Sequence, residues 1–299
     1  MRILNFGSLN VDYIYEVEHF VLPGETISSD HLTITTGGKG LNQSIALSKA
    51  GLTPFHAGAI GKADEGMLKG LLDSNGVNTE FVEMHTDPSG HAIIQVDKHG
   101  QNCIILFGGA NQQIDEEFVD KVLENFNEDD IILLQNEISS IAYIMQKAYL
   151  KGMKIYFNPS PASIKLYEYP MHYVDTIILN EVEGEQLTGE SNIDNILDSL
   201  LKKYPEIKVV LTLGEDGVAY ADKHRCEYCG IYESSVIDTT AAGDTFTGYF
   251  ISCIVKGMDI KNSLKFASAA AAIAVSKLGA ACSIPSLKEV EEFIIKFNR

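Results

Sequence analysis

Between residues 131 and 213 the chain repeats one pattern, a short apolar run followed by a longer stretch of helical period, and this alternation constrains the fold more than any other feature. Strands are expected at residues 131–134, 154–157, 176–179 and 209–213, with helices at 138–151 and 192–203. Buried strands alternating with helices build βαβ units, whose mainly parallel sheet is covered on both faces and whose ligands collect at the carboxyl ends of the strands. The expected fold class is therefore α/β, a doubly wound, mainly parallel sheet with helices on both faces. Residues 2–6 read as a further buried strand.

Two regions break the pattern. In residues 11–17 apolar and polar residues alternate (Val11, Tyr13, Tyr15, Val17), the period of a strand with one wet face, and residues 31–36 resemble it across a turn at Pro23-Gly24. Residues 90–97 and 102–107, joined around Lys98-His99-Gly100, read as a second hairpin. Together they predict a small β-sheet lid, discontinuous at about 10–36 and 88–108, on a single domain spanning 1–299. From Gly38 the period becomes helical and stops at Gly51, and the last third offers helices at 243–256, 260–277 and 286–296.

Composition excludes several classes of function. With 45% hydrophobic and 21% charged residues the chain is globular rather than disordered. A net charge of −18 repels a nucleic-acid backbone, so any phosphate site has to be local. The amino terminus reaches Asp12 before a signal peptide could form, and the longest uncharged small-apolar run, residues 266–276, is too short to cross a bilayer. Five scattered cysteines do not make a disulfide framework, and a reducing cytoplasm is the expected compartment. Cys226 and Cys229, preceded by His224, are half a zinc site without further ligands nearby.

The chemistry concentrates in DTTAAGDTF at residues 238–246. Amides at a helix amino terminus lack intrahelical partners and favour negative charge, and Ala241, Ala242 and Gly243 have little side chain to block them. A phosphoryl group could approach there while Asp244, in the first turn, accepts a proton from an attacking hydroxyl. On the residues alone, an Asp that merely caps the helix is an equal alternative. The second glycine-rich stretch, GGKGLNQ at 37–43, also opens a helix but is neither a Walker A loop nor GxGxxG.

Taken together and in this order, GGKGLNQ and DTTAAGDTF resemble the two signatures of the PfkB, or ribokinase-like, carbohydrate kinases. GSLNVD (7–12), PGET (23–26), GGAN (108–111), NPSP (158–161), NEVE (180–183) and TLGEDG (212–217) extend the resemblance over nearly the whole chain. The signature more often has Gly where Ala241 stands, which predicts a slightly more crowded loop.

The resemblance implies an ATP-dependent sugar kinase. Asp244 would be the general base, and amides around Ala242, Gly243 and Asp244 the anion hole for the transferring group. Asn10, Asp12, Gly38, Lys39, Asn42 and Glu137 match the sugar-holding positions. Asn180 and Glu183 match the motif linked to Mg²⁺ and phosphate, although an ordinary first-turn Glu is the bland alternative, and Thr212, Gly214 and Gly217 match the loop around the nucleotide. Asp238 and Ser283, with the carbonyls of Thr240, Ala274, Lys277 and Gly279, match a monovalent-cation loop that would take K⁺. A homodimer through the lids is the implied assembly. Within the family GSLNVD, GGKGLNQ and GGAN are most similar to the ribose-phosphorylating members, so D-ribose is the expected substrate. Another furanose, a nucleoside or 2-keto-3-deoxygluconate is the alternative, and a non-catalytic sugar or nucleotide sensor is the competing class.

Overall fold

The computed structural model describes residues 1–297. In chain order the strands are β1 (Ile3–Phe6), β2 (Asn10–Glu16), β3 (His31–Gly37), β4 (Phe55–Gly61), β5 (Asn78–His85), β6 (Gly90–Val96), β7 (Asn102–Phe107), β8 (Ile131–Gln135), β9 (Lys154–Asn158), β10 (Thr176–Asn180), β11 (Lys208–Thr212), β12 (Val218–Asp222) and β13 (Arg225–Cys229). The helices are α1 (Lys39–Lys49), α2 (Glu65–Ser74), α3 (Glu116–Leu123), α4 (Ile141–Leu150), α5 (Glu181–Thr188), α6 (Ile193–Lys203), α7 (Ala242–Val255), α8 (Ile260–Val275) and α9 (Leu287–Phe297).

Nine strands form one sheet in the order β13-β12-β11-β10-β9-β8-β1-β4-β5, parallel from β11 to β5, with β12 and β13 antiparallel at one edge. From β1 the chain builds outward through β4 to β5, then returns to the other side of β1 and continues β8 to β11. The direction of winding therefore reverses between β1 and β8, which opens a crevice beyond their carboxyl ends.

Residues of β1 explain the two layers. Leu4 and Phe6 join an apolar cluster with α3, α4 and α6, while Ile3 joins another with α1, α2, α7, α8 and α9. The layer of α1 and α7 is unusually close. A Cβ at Gly248 would lie 2.4 Å from that of Ala46, so only glycine lets α7 approach α1 at this point. That contact brings the start of each helix to one crevice.

A separate four-stranded sheet, ordered β3-β2-β6-β7, forms the lid expected from residues 10–36 and 88–108. Its hairpins join through parallel pairing of β2 with β6. All six residues of β7 are exposed.

Several elements lie outside the sequence expectations. Strand β4 (FHAGAIG) and strand β12 (VAYAD) are paired on both sides yet rich in Gly or Ala, and β5, which follows α2, pairs with β4 at the sheet edge. Helices α2, α3 and α5 have ten residues or fewer, and α2 carries two glycines. The helix expected from residue 138 begins at Ile141, because Ser140 is left-handed (φ 60°) and cannot continue a turn backward. The strand expected to reach Leu213 ends at Thr212.

Candidate active site

The sugar-side residues expected from sequence converge on the crevice at the end of β1. Asn10 opens β2 with 8% exposure, and its Oδ1 accepts a hydrogen bond from Asn111 Nδ2 at 2.7 Å. Asn111 in turn accepts from the Leu9 amide at 3.0 Å, which fixes both side chains. Asp12 lies two residues on, against Gly37, where any Cβ would fall about 2.0 Å from its carboxylate. Burial, reinforced by the Glu137 carboxylate, pushes the Asp12 carboxyl up to about 6.

Glu137 follows β8 across the switch point. It accepts from the Lys39 amide at 3.0 Å and from the Ser8 hydroxyl, so one carboxylate ties the ends of β1 and β8 to the start of α1. Burial raises its carboxyl above the usual range despite the nearby Lys39 ammonium. Burial would lower Lys39, but the carboxylates of Asp244, Glu137 and Glu183 together hold it above its ordinary value. Gly38, at φ 95°, turns the chain from lid to helix directly over the Ser8 carbonyl.

Asp244 occupies the first turn of α7 at 7% exposure. Asn42 Nδ2 donates to its Oδ2 at 3.0 Å and Gln43 Nε2 to its Oδ1 at 2.9 Å. Asn42 Oδ1 is buried without a partner, an acceptor that a ligand hydroxyl would satisfy. The cap of α7 is Ala241, with no side-chain hydrogen bond to the helix, so Asp244 is not the N-cap. Among the amides expected to form an anion hole, Ala242 already donates to the Thr239 carbonyl at 3.2 Å. Those of Gly243 and Asp244 have no backbone partner among the described residues, and open space surrounds Gly243.

Ala241 itself is left-handed, at φ 59°. The consequence of Ala for Gly there is therefore backbone conformation rather than the crowding expected from sequence.

Of the residues expected to hold the nucleotide, Asn180 and Thr212 stand level at the carboxyl ends of β10 and β11. Asn180 and Glu183 form a reciprocal capping box, with 2.9 Å from the Glu183 amide to Asn180 Oδ1 and 3.0 Å from the Asn180 amide to Glu183 Oε2. Glu183 is thus the helix-leading residue of the bland reading and also a charge felt by Lys39. Gly214 (φ 53°) and Gly217 (φ 102°) shape the turn after β11.

Asp238 fastens the remaining loop. Its Oδ1 accepts from the Thr240 amide and hydroxyl at 2.9 and 2.6 Å, and its Oδ2 from the Gly279 amide at 2.8 Å. Burial would raise its carboxyl, but these donors hold it below the usual range. Ala274 lies in the last turn of α8, Lys277 just beyond its end donates its amide to the Ala274 carbonyl at 3.0 Å, and buried Ser283 donates to the Ala280 carbonyl at 2.8 Å. Cys226 and Cys229 sit on the outermost strand, β13.

Sequence reasoning missed Ser8, Gln43 and Asn111. Each lies inside a motif quoted above, GSLNVD, GGKGLNQ and GGAN, so the signal is present. What was absent was any sign that these residues orient others.

A family profile described as pfkB family carbohydrate kinase matches residues 2–287. A ribokinase of Haemophilus influenzae is 34% identical over 298 residues, covering 96% of each chain. The crystal structure of ribokinase from Cryptococcus neoformans in complex with ADP superposes with a TM-score of 0.84 at 32% identity, covering 97% of this chain and 99% of that one. A ribokinase of Arabidopsis thaliana complexed with ribose and ATP gives a TM-score of 0.84 at 28% identity, covering 98% of both chains. With a ribokinase-like fold, a lid, and both signatures meeting at one crevice, this chain belongs to the pfkB family of carbohydrate kinases.

Proposed function

We propose that this chain transfers the γ-phosphoryl group of ATP to the 5-hydroxyl of D-ribose, giving D-ribose 5-phosphate and ADP. The observation that carries this reading is the junction at Asp244. A buried carboxylate there is hydrogen-bonded to Asn42 of the sugar-side helix and lies beside two unpaired amides at an open helix terminus.

Asp244 takes the proton of the attacking hydroxyl, and the amides of Gly243 and Asp244 stabilise charge on the transferring oxygens, with Ala242 joining if its bond to Thr239 opens. Asn10, Asp12, Asn42 and Glu137 hold the sugar hydroxyls, with Lys39 and the backbone at Gly38 closing the crevice. Such a dense polar set discriminates by the groups a wrong sugar leaves unpaired, each costing about 1–3 kcal/mol. Thr212, Gly214 and Gly217 line the nucleotide side.

No cluster of three or more metal-ligating side chains exists among the described residues, which suits Mg²⁺ carried in on the nucleotide. Mg²⁺ would neutralise phosphate charge, and Glu183 and Asn180, already joined in the capping box, are the residues that would hold it near the nucleotide. The oxygen-only donors at Asp238, Thr240, Ala274, Lys277, Gly279 and Ser283 suit K⁺. An ion there would order the loop that leads into α7.

We read the chain as a single kinase domain, active as a homodimer. The lid exposes Ile34, Ile93, Ile105 and Phe107 on one face, which a second lid would cover. Light scattering at micromolar concentration should give twice the chain mass, and monomer alone contradicts the dimer. No helix among the described residues is long and apolar enough to cross a membrane.

The activity is tested by ADP release with D-ribose, 2-deoxyribose, fructose, adenosine and 2-keto-3-deoxygluconate. D-ribose should have the highest specificity constant. A higher value for another acceptor overturns the substrate, and no sugar-dependent ADP release overturns the kinase.

A further inference from the structure

Behind Asp244 lies a row of uncharged polar side chains that no role above uses. Gln43, Gln135, Asn5, Ser44 and His56 are all 0% exposed, and they run from the base into the space between the sheet and α1. Gln43 Oε1 accepts from Gln135 Nε2 at 2.7 Å, and the same nitrogen donates to Asn5 Oδ1 at 2.9 Å. Asn5 Nδ2 donates to Ser44 Oγ at 2.8 Å and to the Gly40 carbonyl at 2.7 Å. His56 Nδ1 lies 2.8 Å from Ser44 Oγ, and burial pushes its imidazole down to about 4, so this end of the row is neutral.

The row has a direction. Gln135 offers its NH₂ to both Gln43 and Asn5, so the oxygen of the Gln43 amide is held away from Asp244 and its NH₂ is turned toward it. A flipped Gln43 would set oxygen against a buried carboxylate and leave Gln135 with one acceptor fewer. A fully buried position on a helix or strand ordinarily takes an apolar residue, and five polar ones in contact carry a cost that needs a function.

We infer that Gln43, held by Gln135, is a positioning residue that fixes the Asp244 carboxylate for proton transfer. It acts through Asp244 and, being fully buried behind it, does not touch the sugar. This inference rests on Asp244 being the base. The charged groups facing Asp244 are Lys39 at the start of α1 and Glu137 after β8, and neither hydrogen-bonds to it, so Gln43 and Asn42 are its side-chain donors among the described residues.

The test uses Gln43→Met and Gln135→Met in the full chain, with kcat and sugar KM measured together and folding checked by thermal melting. Gln43→Met should lower kcat about tenfold to about a hundredfold with sugar KM within about twofold, because only the base is misplaced. Gln135→Met should lower kcat by less, again with sugar KM within about twofold, and it keeps the test alive if Gln43→Met does not fold. Wild-type kcat in whichever variants fold overturns the inference, as does an equal loss in kcat and sugar affinity. Asp244→Asn separates the two levels, because if it retains turnover the base assignment itself has failed.

Discussion

The two halves of the crevice, proposed to face sugar and nucleotide, meet at α7 but are made of different material. Asn10, Asn42 and Asp244 are 8%, 5% and 7% exposed, and each is held by another side chain on a strand or helix. Across α7, apart from the Asn180–Glu183 capping box, Thr240, Gly243 and Gly214 are exposed, and what they offer is backbone. A half built from interlocked side chains is shaped before its ligand arrives and can reject a misfit by unpaired groups. A half built from loop amides depends on a ligand or ion to order it and reads charge more than shape.

The largest effect expected is at the junction. Asp244→Asn should lose roughly a thousandfold in kcat, within the usual range for a general base, while calorimetry shows both ligands still binding. Near-normal turnover would remove Asp244 from the base role. Asp12→Ala should weaken D-ribose about tenfold to a hundredfold and leave ATP affinity unchanged. Equal losses for both ligands would erase the distinction between the halves.

On the nucleotide side, replacing K⁺ by a tetraalkylammonium ion should lower kcat on the order of tenfold with sugar affinity unchanged, because the ion orders amides rather than sugar ligands. Equal rates would remove the cation loop from the account.

A smaller effect separates function from stability in the sugar half. The Asp12 carboxyl stands at about 6 in the folded chain against an ordinary 3.8, so the ligand-free fold loses stability as pH rises through that interval. Asp12→Asn should therefore raise the melting temperature at pH 8 by a few degrees, on the order of 2–4 °C per kcal/mol recovered, with no gain below about pH 4. A gain of the same size at both pH values would assign the effect to packing. Least of all, Ala241→Gly should change stability by under about 1 kcal/mol, relief of the left-handed alanine being offset by glycine's entropy. Thermal melting of that single variant checks it.

How much of this was legible in the sequence follows the same division. The alternation from β8 to β11 announced the parallel sheet, and the period-two stretches announced the lid, because burial on one or two faces writes itself into residue type. Strand β4 escaped because FHAGAIG, central and buried, satisfies its position with small residues that carry no strand preference. At the site, Asp12 was legible as a charge on an apolar strand, and Asp244 as an acid in the first turn of a helix opened by small residues, its role as base coming from the family resemblance. The row from Gln43 to His56 was not, since its members lie on four elements and only folding sets Asn5 level with His56. The bent conformation of Ala241 was equally hidden, being a property of φ rather than of side-chain size.

The assignment of Asp244 and the sugar crevice is decided by where the phosphoryl group goes. Wild-type protein incubated with D-ribose and ATP should, by phosphorus–proton correlation NMR, yield D-ribose 5-phosphate and ADP in equal amounts, and Asp244→Asn should yield almost none. Phosphate on any other hydroxyl, or ADP formed without sugar phosphate, would contradict it.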